Sequence, residues 1–443
     1  METIVIIVFV LGYLAITLEH SLKIDKLIPA LAMMALLWAI IALTHMDVFE
    51  VNAELKELEP THIEEILLHH LGKTAEILIF LLGAMTIVEI IDYFDGFATI
   101  KGFIRTKSKR SLLWIFTILG FILSAIIDNL TATIVLITIL QKVVKDKEVR
   151  IWFAGLIIVA ANAGGAWSPI GDVTTTMLWI GKRVTTLELI TRVLIPSLVC
   201  FIVPTLIASK LKPFRGNIDD DVNTEMGSKS KFGATMLYLG LAAIVFVPIF
   251  KTVTHLPPYV GMMLSLAIVA TFAEIYSGTK FSVSHVDKES DAASHHSPVH
   301  SSLSKIELPS ILFFLGILMA VAALESLGQL FHFAEGLNNA IPNTDIVVLL
   351  LGVGSAVIDN VPLVAASMGM FSEGVDHPLW HFIAYSAGTG GSMLIIGSAA
   401  GVVAMGMEKI DFFWYMKKIA WLAFIGFIAG AGVLILMRDY VLT

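Results

Sequence analysis

Two short segments place an Asp–Asn pair inside apolar sequence. SAIIDN occupies residues 124–129 and SAVIDN occupies residues 355–360, and neither 111–140 nor 346–371 contains Lys or Arg. A carboxylate in hydrocarbon is costly and usually has a function. Asp and Asn also favour helix N-termini, but Ser or Asn would cap a helix without a buried charge. We therefore expect Asp128, Asn129, Asp359 and Asn360 to bind a ligand as well as cap helices.

A second group of polar residues lies in NAGGAWSPIGDVTTT, residues 162–176. Its three glycines and one proline oppose a continuous helix, so we predict an unwound segment with a new helix beginning near Asp172. Such a break frees backbone carbonyls beside the side chains of Asn162, Asp172, Thr174 and Thr175. Oxygen ligands suit a hard cation. The alternative is a packing kink, but the Asp and the three threonines favour a site.

The matching segment of the second half is SAGTGGSMLIIGSAAG, residues 386–401, where Ser398 replaces Asp172. This half therefore offers the neutral side chains of Thr389, Ser392 and Ser398. Burial raises the pKa of a carboxyl group and a bound cation lowers it, so one group of oxygens can hold either a proton or a cation. We predict that a hard cation binds at Asp128, Asp172 and Asp359.

The elements that position these residues cross a membrane. Of the 443 residues 57% are hydrophobic and 15% charged, and the mean hydropathy is +0.85, which excludes a soluble globular protein. We predict an all-α polytopic membrane protein whose partner is the lipid bilayer and not a nucleic acid. The single Cys200 excludes a disulfide framework. No secretory cleavage site follows the first apolar run, which is therefore expected to be a retained span.

Apolar runs of about 20 residues predict ten spans, near residues 3–18, 28–44, 75–95, 151–180, 188–208, 233–250, 258–276, 308–327, 380–407 and 412–437. Runs 111–140 and 346–371 are each predicted to form a re-entrant hairpin. The loops assigned to the cytoplasm hold 22 of the 29 basic residues, in agreement with the positive-inside rule. The hairpins would then enter from opposite faces and bring Asp128 and Asp359 to one midplane site.

The order of spans and hairpins in the two halves of the sequence predicts an internal duplication. Residues 1–208 and 233–443 each contain five spans and one hairpin, joined by a cytoplasmic linker at 209–232, so the second repeat is inverted. The broken helices are 151–180 and 380–407, and a His-rich cytoplasmic loop occupies 277–305. Inverted repeats with unwound helices at the midplane are typical of secondary transporters.

SAIIDNLTAT, NAGGAWSPIGDVTTTMLW, SAVIDNVPLVAA and SAGTGGSMLIIGSAAGV resemble the NhaD-type sodium/proton antiporters of the ion transporter superfamily. The resemblance implies a homodimer in a bacterial inner membrane that exchanges cytoplasmic Na⁺ or Li⁺ for external H⁺, without a cofactor and without enzymatic activity. By motif position it also implies roles for Ser124, Ser355 and Ser392, beside the Asp, Asn and Thr residues above. His69 and Glu76 fit a His and a Glu of the family that would give a pH response.

Two other functions remain open. A sodium-coupled symporter of a small anion such as a dicarboxylate would share this scaffold. An intramembrane aspartyl hydrolase could use two Asp residues that share a proton. The His-rich segment 285–300 is predicted to be a linker, with metal binding as the alternative, and the acidic segment 46–65 is predicted to be a solvated loop.

Overall fold

The structure is a computed structural model of the chain. It describes residues 2–17, 24–52, 57–101, 106–218, 232–277, 297–306, 308–341, 343–357 and 360–440. Asp359, His285, His295, His296 and most of the predicted linker, 219–231, lie outside these ranges. Nearly all regular structure in the described ranges is helical.

The elements of the first half precede the linker. They are α1 (Glu2–Thr17), α2 (Leu27–Leu43), β1 (Val48–Asn52), β2 (Glu57–Thr61), α3 (Ile63–Tyr93), α4 (Ala98–Lys101), α5 (Lys109–Ile127), α6 (Asn129–Val143), α7 (Lys147–Gly165), α8 (Val173–Ile180), α9 (Thr186–Ala208) and a 3-10 turn at Lys212–Phe214.

The elements of the second half follow it. They are α10 (Gly233–Thr254), α11 (Pro258–Ser277), α12 (Pro298–Lys305), α13 (Leu308–Ser326), α14 (Gln329–Ala340), α15 (Thr344–Gly354), α16 (Asn360–Met370), α17 (Pro378–Gly390), α18 (Ala399–Glu408), α19 (Phe412–Lys418) and α20 (Ala420–Tyr440).

The chain forms two compact units, and each takes residues from both sequence halves. The first contains residues 1–78, 106–220 and 309–443, and the second contains 79–105 and 221–308. In the second unit α10 packs on α11, and Gly83 of α3 approaches Met262 and Met263. In the first unit α5 packs on α7, α15 on α17, and α9 on α20. The site described below lies wholly in the first unit.

Among the described residues eight helices are long and apolar enough to cross a membrane: α3, α5, α7, α9, α10, α11, α13 and α20. Many of their outward side chains are large and apolar, such as Val253 and Ile275, as lipid contact requires. The predicted all-α membrane architecture is confirmed. Helix α5 has 19 residues, so it is long for one arm of a re-entrant hairpin, and the re-entrant arrangement stays a prediction.

Three features of the structure were not expected from the sequence. The acidic segment predicted to be a loop contains β1 and β2, which pair antiparallel with Phe49 opposite Pro60 and Val51 opposite Leu58. Helix α14, at Gln329–Ala340, lies between the predicted span 308–327 and the predicted hairpin 346–371, where no element was predicted. The last predicted span, 412–437, is divided between α19 and α20. Alternation of apolar and acidic residues over five-residue strands is a weak signal beside the long apolar runs.

Two helix–break–helix arrangements repeat along the chain. The Ser124 hydroxyl donates to the Ala161 carbonyl at 2.5 Å, and the Ser355 hydroxyl donates to the Ala387 carbonyl at 2.9 Å. A Cβ on Gly164 would overlap the Phe121 carbonyl oxygen, and a Cβ on Gly390 would overlap that of Gly352. Each hairpin thus packs on its own broken helix through the same serine and the same glycine contact.

Candidate cation site at four helix ends

Asp172 lies at the centre of the candidate site. Helix α7 ends at Gly165, the backbone turns through residues 166–172, and α8 begins at Val173 with Asp172 as its N-cap. The Asp172 Oδ1 atom accepts from the Thr174 backbone N–H at 2.9 Å and from the Thr174 hydroxyl at 2.7 Å. The residue is 3% exposed. A buried carboxylate is therefore fixed by the helix that it caps.

Each hairpin contributes one carboxamide to this carboxylate. Asn129, the first residue of α6, donates through Nδ2 to Asp172 Oδ2 at 2.5 Å. Asn360, the first residue of α16, donates through Nδ2 to Oδ1 and Oδ2 at 3.3 and 3.4 Å. Within the described ranges no hydrogen bond reaches the side-chain Oδ1 atom of either Asn. Residues 231 positions apart thus meet on one carboxylate.

Asp128 occupies the break between α5 and α6 and is directed to its own helix. Its carboxylate accepts from the Thr131 backbone N–H and from the Thr131 hydroxyl, both at 2.8 Å. Its φ of 81° is uncommon for a residue with a Cβ. Such backbone strain is often found at functional positions. Asp128 is therefore a neighbour of the Asn129–Asp172 contact, in a conformation set by its capping bonds.

Asn162 joins the two broken helices. It lies on α7 and accepts from Asn129 Nδ2 at 3.1 Å, and its own Nδ2 donates to the Ser398 hydroxyl at 3.1 Å and to the Ile158 carbonyl at 3.0 Å. Ser398 is the N-cap of α18 and accepts from the Gly401 N–H at 3.2 Å. A continuous network of hydrogen bonds therefore links Asn360, Asp172, Asn129, Asn162 and Ser398.

Four helices, α6, α8, α16 and α18, begin at this network. Helix α6 packs against α18, and α16 packs against α8. Each N-terminus carries a partial charge of about +0.5, so the four ends together approach the magnitude of two ionised carboxylates. This arrangement stabilises anions, and Asp128 and Asp172 already supply them from the protein. A small cation needs such carboxylates, since the helix ends alone would repel it.

Several predicted site residues hydrogen-bond elsewhere. The Thr175 hydroxyl donates to the Asp172 carbonyl, and Ser124 and Ser355 make the hairpin contacts given above. The Thr389 and Ser392 hydroxyls donate to the Tyr385 and Thr389 carbonyls. These residues support the backbone around the site. Asp359, the residue before Asn360, lies outside the described residues.

The two residues with a predicted pH response lie on α3. His69 Nε2 is 3.6 Å from Glu50 Oε1 at the surface, and Glu76 is partly exposed. Neither makes a hydrogen bond to the network within the described ranges.

A second polar cluster, which was not predicted from the sequence, lies at the far end of α6 and α18. Glu408 was assigned to a cytoplasmic loop, but its side chain is fully buried. It accepts from Arg150 Nε at 2.7 Å and from Gln141 Nε2 at 2.9 Å. The signal in the sequence was an acidic residue directly after an apolar run. Glu408 therefore ties α18 to the end of α6 and the start of α7.

Comparison with known proteins identifies the family. A family model described as CitMHS, citrate transporter, matches residues 13–380. Sodium/proton antiporter 1 of Arabidopsis thaliana is 41% identical over 96% of this chain and 70% of that protein. The Na⁺/H⁺ antiporter NhaD of Vibrio cholerae is 32% identical over 93% of this chain and 87% of that protein. The chain belongs to the NhaD-type sodium/proton antiporter family.

A solved structure agrees with the fold. The YdaH transporter of Alcanivorax borkumensis matches with a TM-score of 0.54 over 94% of this chain and 97% of its own, at 12% identity. At this identity the likeness concerns the fold alone. As a member of the NhaD family the protein is a polytopic membrane transporter and not an enzyme, which confirms the predicted class and excludes the intramembrane hydrolase.

Proposed function

We propose that this protein exchanges Na⁺ or Li⁺ for H⁺ at the network centred on Asp172. The observation that carries the proposal is the buried Asp172 carboxylate, held by carboxamides from both hairpins at the beginning of four helices. The names of the Arabidopsis and Vibrio relatives support the same exchange. In this proposal the carboxamide oxygens of Asn129 and Asn360 complete a set of hard oxygen ligands for the cation.

Proton exchange follows from competition for one charged group. A cation bound to Asp172 favours the ionised form of the carboxylate. When the cation leaves at low pH, a proton can bind to the carboxylate in its place. Asp128 and Asp359 supply further carboxylates, and their ionisation balances the positive helix ends. A cycle of alternating access would then move Na⁺ outward and H⁺ inward. The inverted repeats predicted from the sequence would give the two access states their pseudo-symmetry.

The second candidate is transport of a small anion, which the citrate transporter description of the family model favours. Four helix N-termini are suited to an anion. At this site the anion is the protein's own carboxylate, and the two hairpins and both broken helices, 151–180 and 380–407, contain no Lys or Arg. A di- or tricarboxylate would therefore meet like charge without a basic partner, which favours the cation.

We further propose a homodimer in the bacterial inner membrane, with the basic loops on the cytoplasmic side. The relatives from Vibrio and Alkalimonas support this location, and the Arabidopsis relatives are compatible with another membrane. No cofactor is required, because the transported ions bind directly to oxygen atoms.

The proposal is tested by dequenching of a pH-sensitive dye in everted vesicles of a bacterium without its own antiporters. We expect NaCl or LiCl, but not choline chloride, to release the proton gradient. The same vesicles are given radiolabelled citrate with and without Na⁺. Citrate accumulation without cation-dependent dequenching would replace exchange by anion symport.

A further inference from the structure

A charged cavity lies at the far ends of α8 and α16, away from the candidate site. Its volume is about 70 Å³, enough for several water molecules. It is lined by β1, the first turns of α3, the loop after α8 and the ends of α13 and α16. Because α8 and α16 begin at Asp172 and Asn360, a change at the cavity can alter the position of the site residues. The distribution of basic residues assigns this face to the outer solution.

Arg183, in the loop after α8, holds the end of α16. Its guanidinium donates to the Met368 carbonyl at 3.1 Å and to the Glu373 carbonyl at 3.3 Å. It also lies over the Trp380 ring at 4.8 Å from the centroid. The Arg183 backbone carbonyl accepts from the Asp376 N–H at 2.9 Å. This one residue therefore connects the first broken helix to the second hairpin and to α17.

Glu325 also lines the cavity, at the end of α13. A Cβ on Gly369 would be 3.3 Å from its Oε2 atom, so the carboxylate lies against the backbone of α16. It forms no hydrogen bond to the described part of the chain, but it is within electrostatic range of Lys73 and Arg183. Burial lowers the pKa of the Arg183 guanidinium, and the charge of Glu325 opposes this decrease.

The groups that face Glu325 explain why its charge matters. Helix α3 presents His69, His70 and Lys73, β1 presents Glu50, and the loop presents Arg183, whereas the facing end of α16 is Met368, Gly369 and Met370. Two fixed cations therefore share two carboxylates, and Glu50 is the more exposed carboxylate. Protonation of Glu325 leaves Lys73 and Arg183 with only the more exposed Glu50 as counter-charge in the cavity.

We propose that Glu325 is a titratable positioning residue of the transport cycle: its ionised carboxylate holds Arg183 and the end of α16, and protonation from the outer solution releases them. The role in ion exchange depends on the function proposed above. The opening of the cavity on protonation of Glu325 does not depend on that function, and it can be measured without measuring transport. An outer proton would then open the same face through which it reaches the site.

The test measures opening by labelling one cysteine on intact cells. In a Cys200→Ser background, Ser372→Cys places a thiol on the cavity wall, and a membrane-impermeant maleimide is applied at external pH between about 5.5 and 8.5. Leu256→Cys, in the exposed loop between α10 and α11, gives the reference rate. The ratio of the two rates cancels the ordinary loss of thiol reactivity in acid.

We expect the ratio to rise by roughly tenfold on acidification, the change that a coupling of one pKa unit produces. Glu325→Gln should keep the ratio high at every pH, and Glu325→Asp should restore the response. Lys73→Met should shift the midpoint to higher pH, since the ionised carboxylate loses a cation. The matched control Glu50→Gln, at the exposed rim of the cavity, should keep the full response, with a midpoint at lower pH than in the parent because Glu325 loses a like charge.

Three results would overturn the proposal. One is a parent ratio that does not vary with pH, and another is a Glu325→Gln protein that responds as the parent does. The third is an equal loss of response in Glu50→Gln. If Glu325→Gln does not reach the membrane, Lys73→Met decides, because an unchanged midpoint in that variant contradicts the proposed charge coupling. Loss of exchange with an intact labelling response would instead contradict the proposed function alone.

Discussion

Replacing Asp172 by Asn removes one charge from the centre of the candidate site and preserves nearly all of its shape. The Asn side chain can still accept from the Thr174 N–H, because Asn and Asp are comparable N-caps. At the other position a carboxamide NH₂ would replace Oδ2 and face the NH₂ group of Asn129, which now donates there at 2.5 Å. We expect a folded protein whose cation site has lost its central ligand.

The expected loss of Na⁺ affinity follows from the distance between the Asp172 charge and the bound cation. Two unit charges 4 Å apart interact by about 4 kcal/mol at an effective dielectric constant near 20. Because about 1.4 kcal/mol corresponds to tenfold in affinity, the half-saturating Na⁺ concentration should rise about a thousandfold. Exchange at millimolar Na⁺ should therefore become undetectable.

The assay is Na⁺-dependent dye dequenching in everted vesicles over a wide range of NaCl concentrations, with membrane content measured in parallel. Asp146→Asn is the matched control. Asp146 is also an N-cap, accepting from the Glu148 and Val149 N–H groups at 2.9 and 3.4 Å, but it lies at the start of α7 and is exposed. Its replacement should leave the half-saturating concentration unchanged.

An Asp172→Asn protein that exchanges Na⁺ with a half-saturating concentration within about threefold of the parent would contradict this expectation. In that case the charge of Asp172 would serve only the helix cap. An equal loss of Na⁺ affinity in the Asp146→Asn protein would show that the assay reports general damage to capped helices.

Three further outcomes are expected. Glu408→Gln should destabilise the detergent-solubilised protein by about 3 kcal/mol, since it leaves Arg150 without its buried partner; an unchanged melting temperature would contradict this. Gly390→Ala should lower the melting temperature strongly because its Cβ overlaps a carbonyl oxygen, whereas Gly406→Ala, which has open space, should not; equal effects would contradict the packing. The apparent Na⁺ affinity should rise up to about tenfold per pH unit while one proton competes with one cation, as Na⁺ titrations at fixed pH would show, and a pH-independent affinity would exclude competition.

Local features of this protein follow from the sequence because their causes are local. Asp128 and Asp172 precede helices at breaks made by the surrounding residues, and each caps its helix through a residue two or three positions away. The glycines and the proline in 162–176 interrupt the helix without reference to any neighbour. Hydropathy alone places the long helices, since each must satisfy its backbone hydrogen bonds internally in lipid. The short strands β1 and β2 lack so strong a signal.

The partners of the site residues were decided only by the tertiary structure. The sequence predicts that Asp128 and Asp359 share one site, but Asp359 lies outside the described residues. Within them the carboxamides of Asn129 and Asn360 meet on Asp172, a contact that was not predicted. Asp128 is held by Thr131. Contacts between segments this far apart in the chain depend on how the helices cross, which the local sequence does not determine. The contacts of Glu408 with Arg150 and of Arg183 with Met368 join segments far apart in the chain, and only packing brings them together.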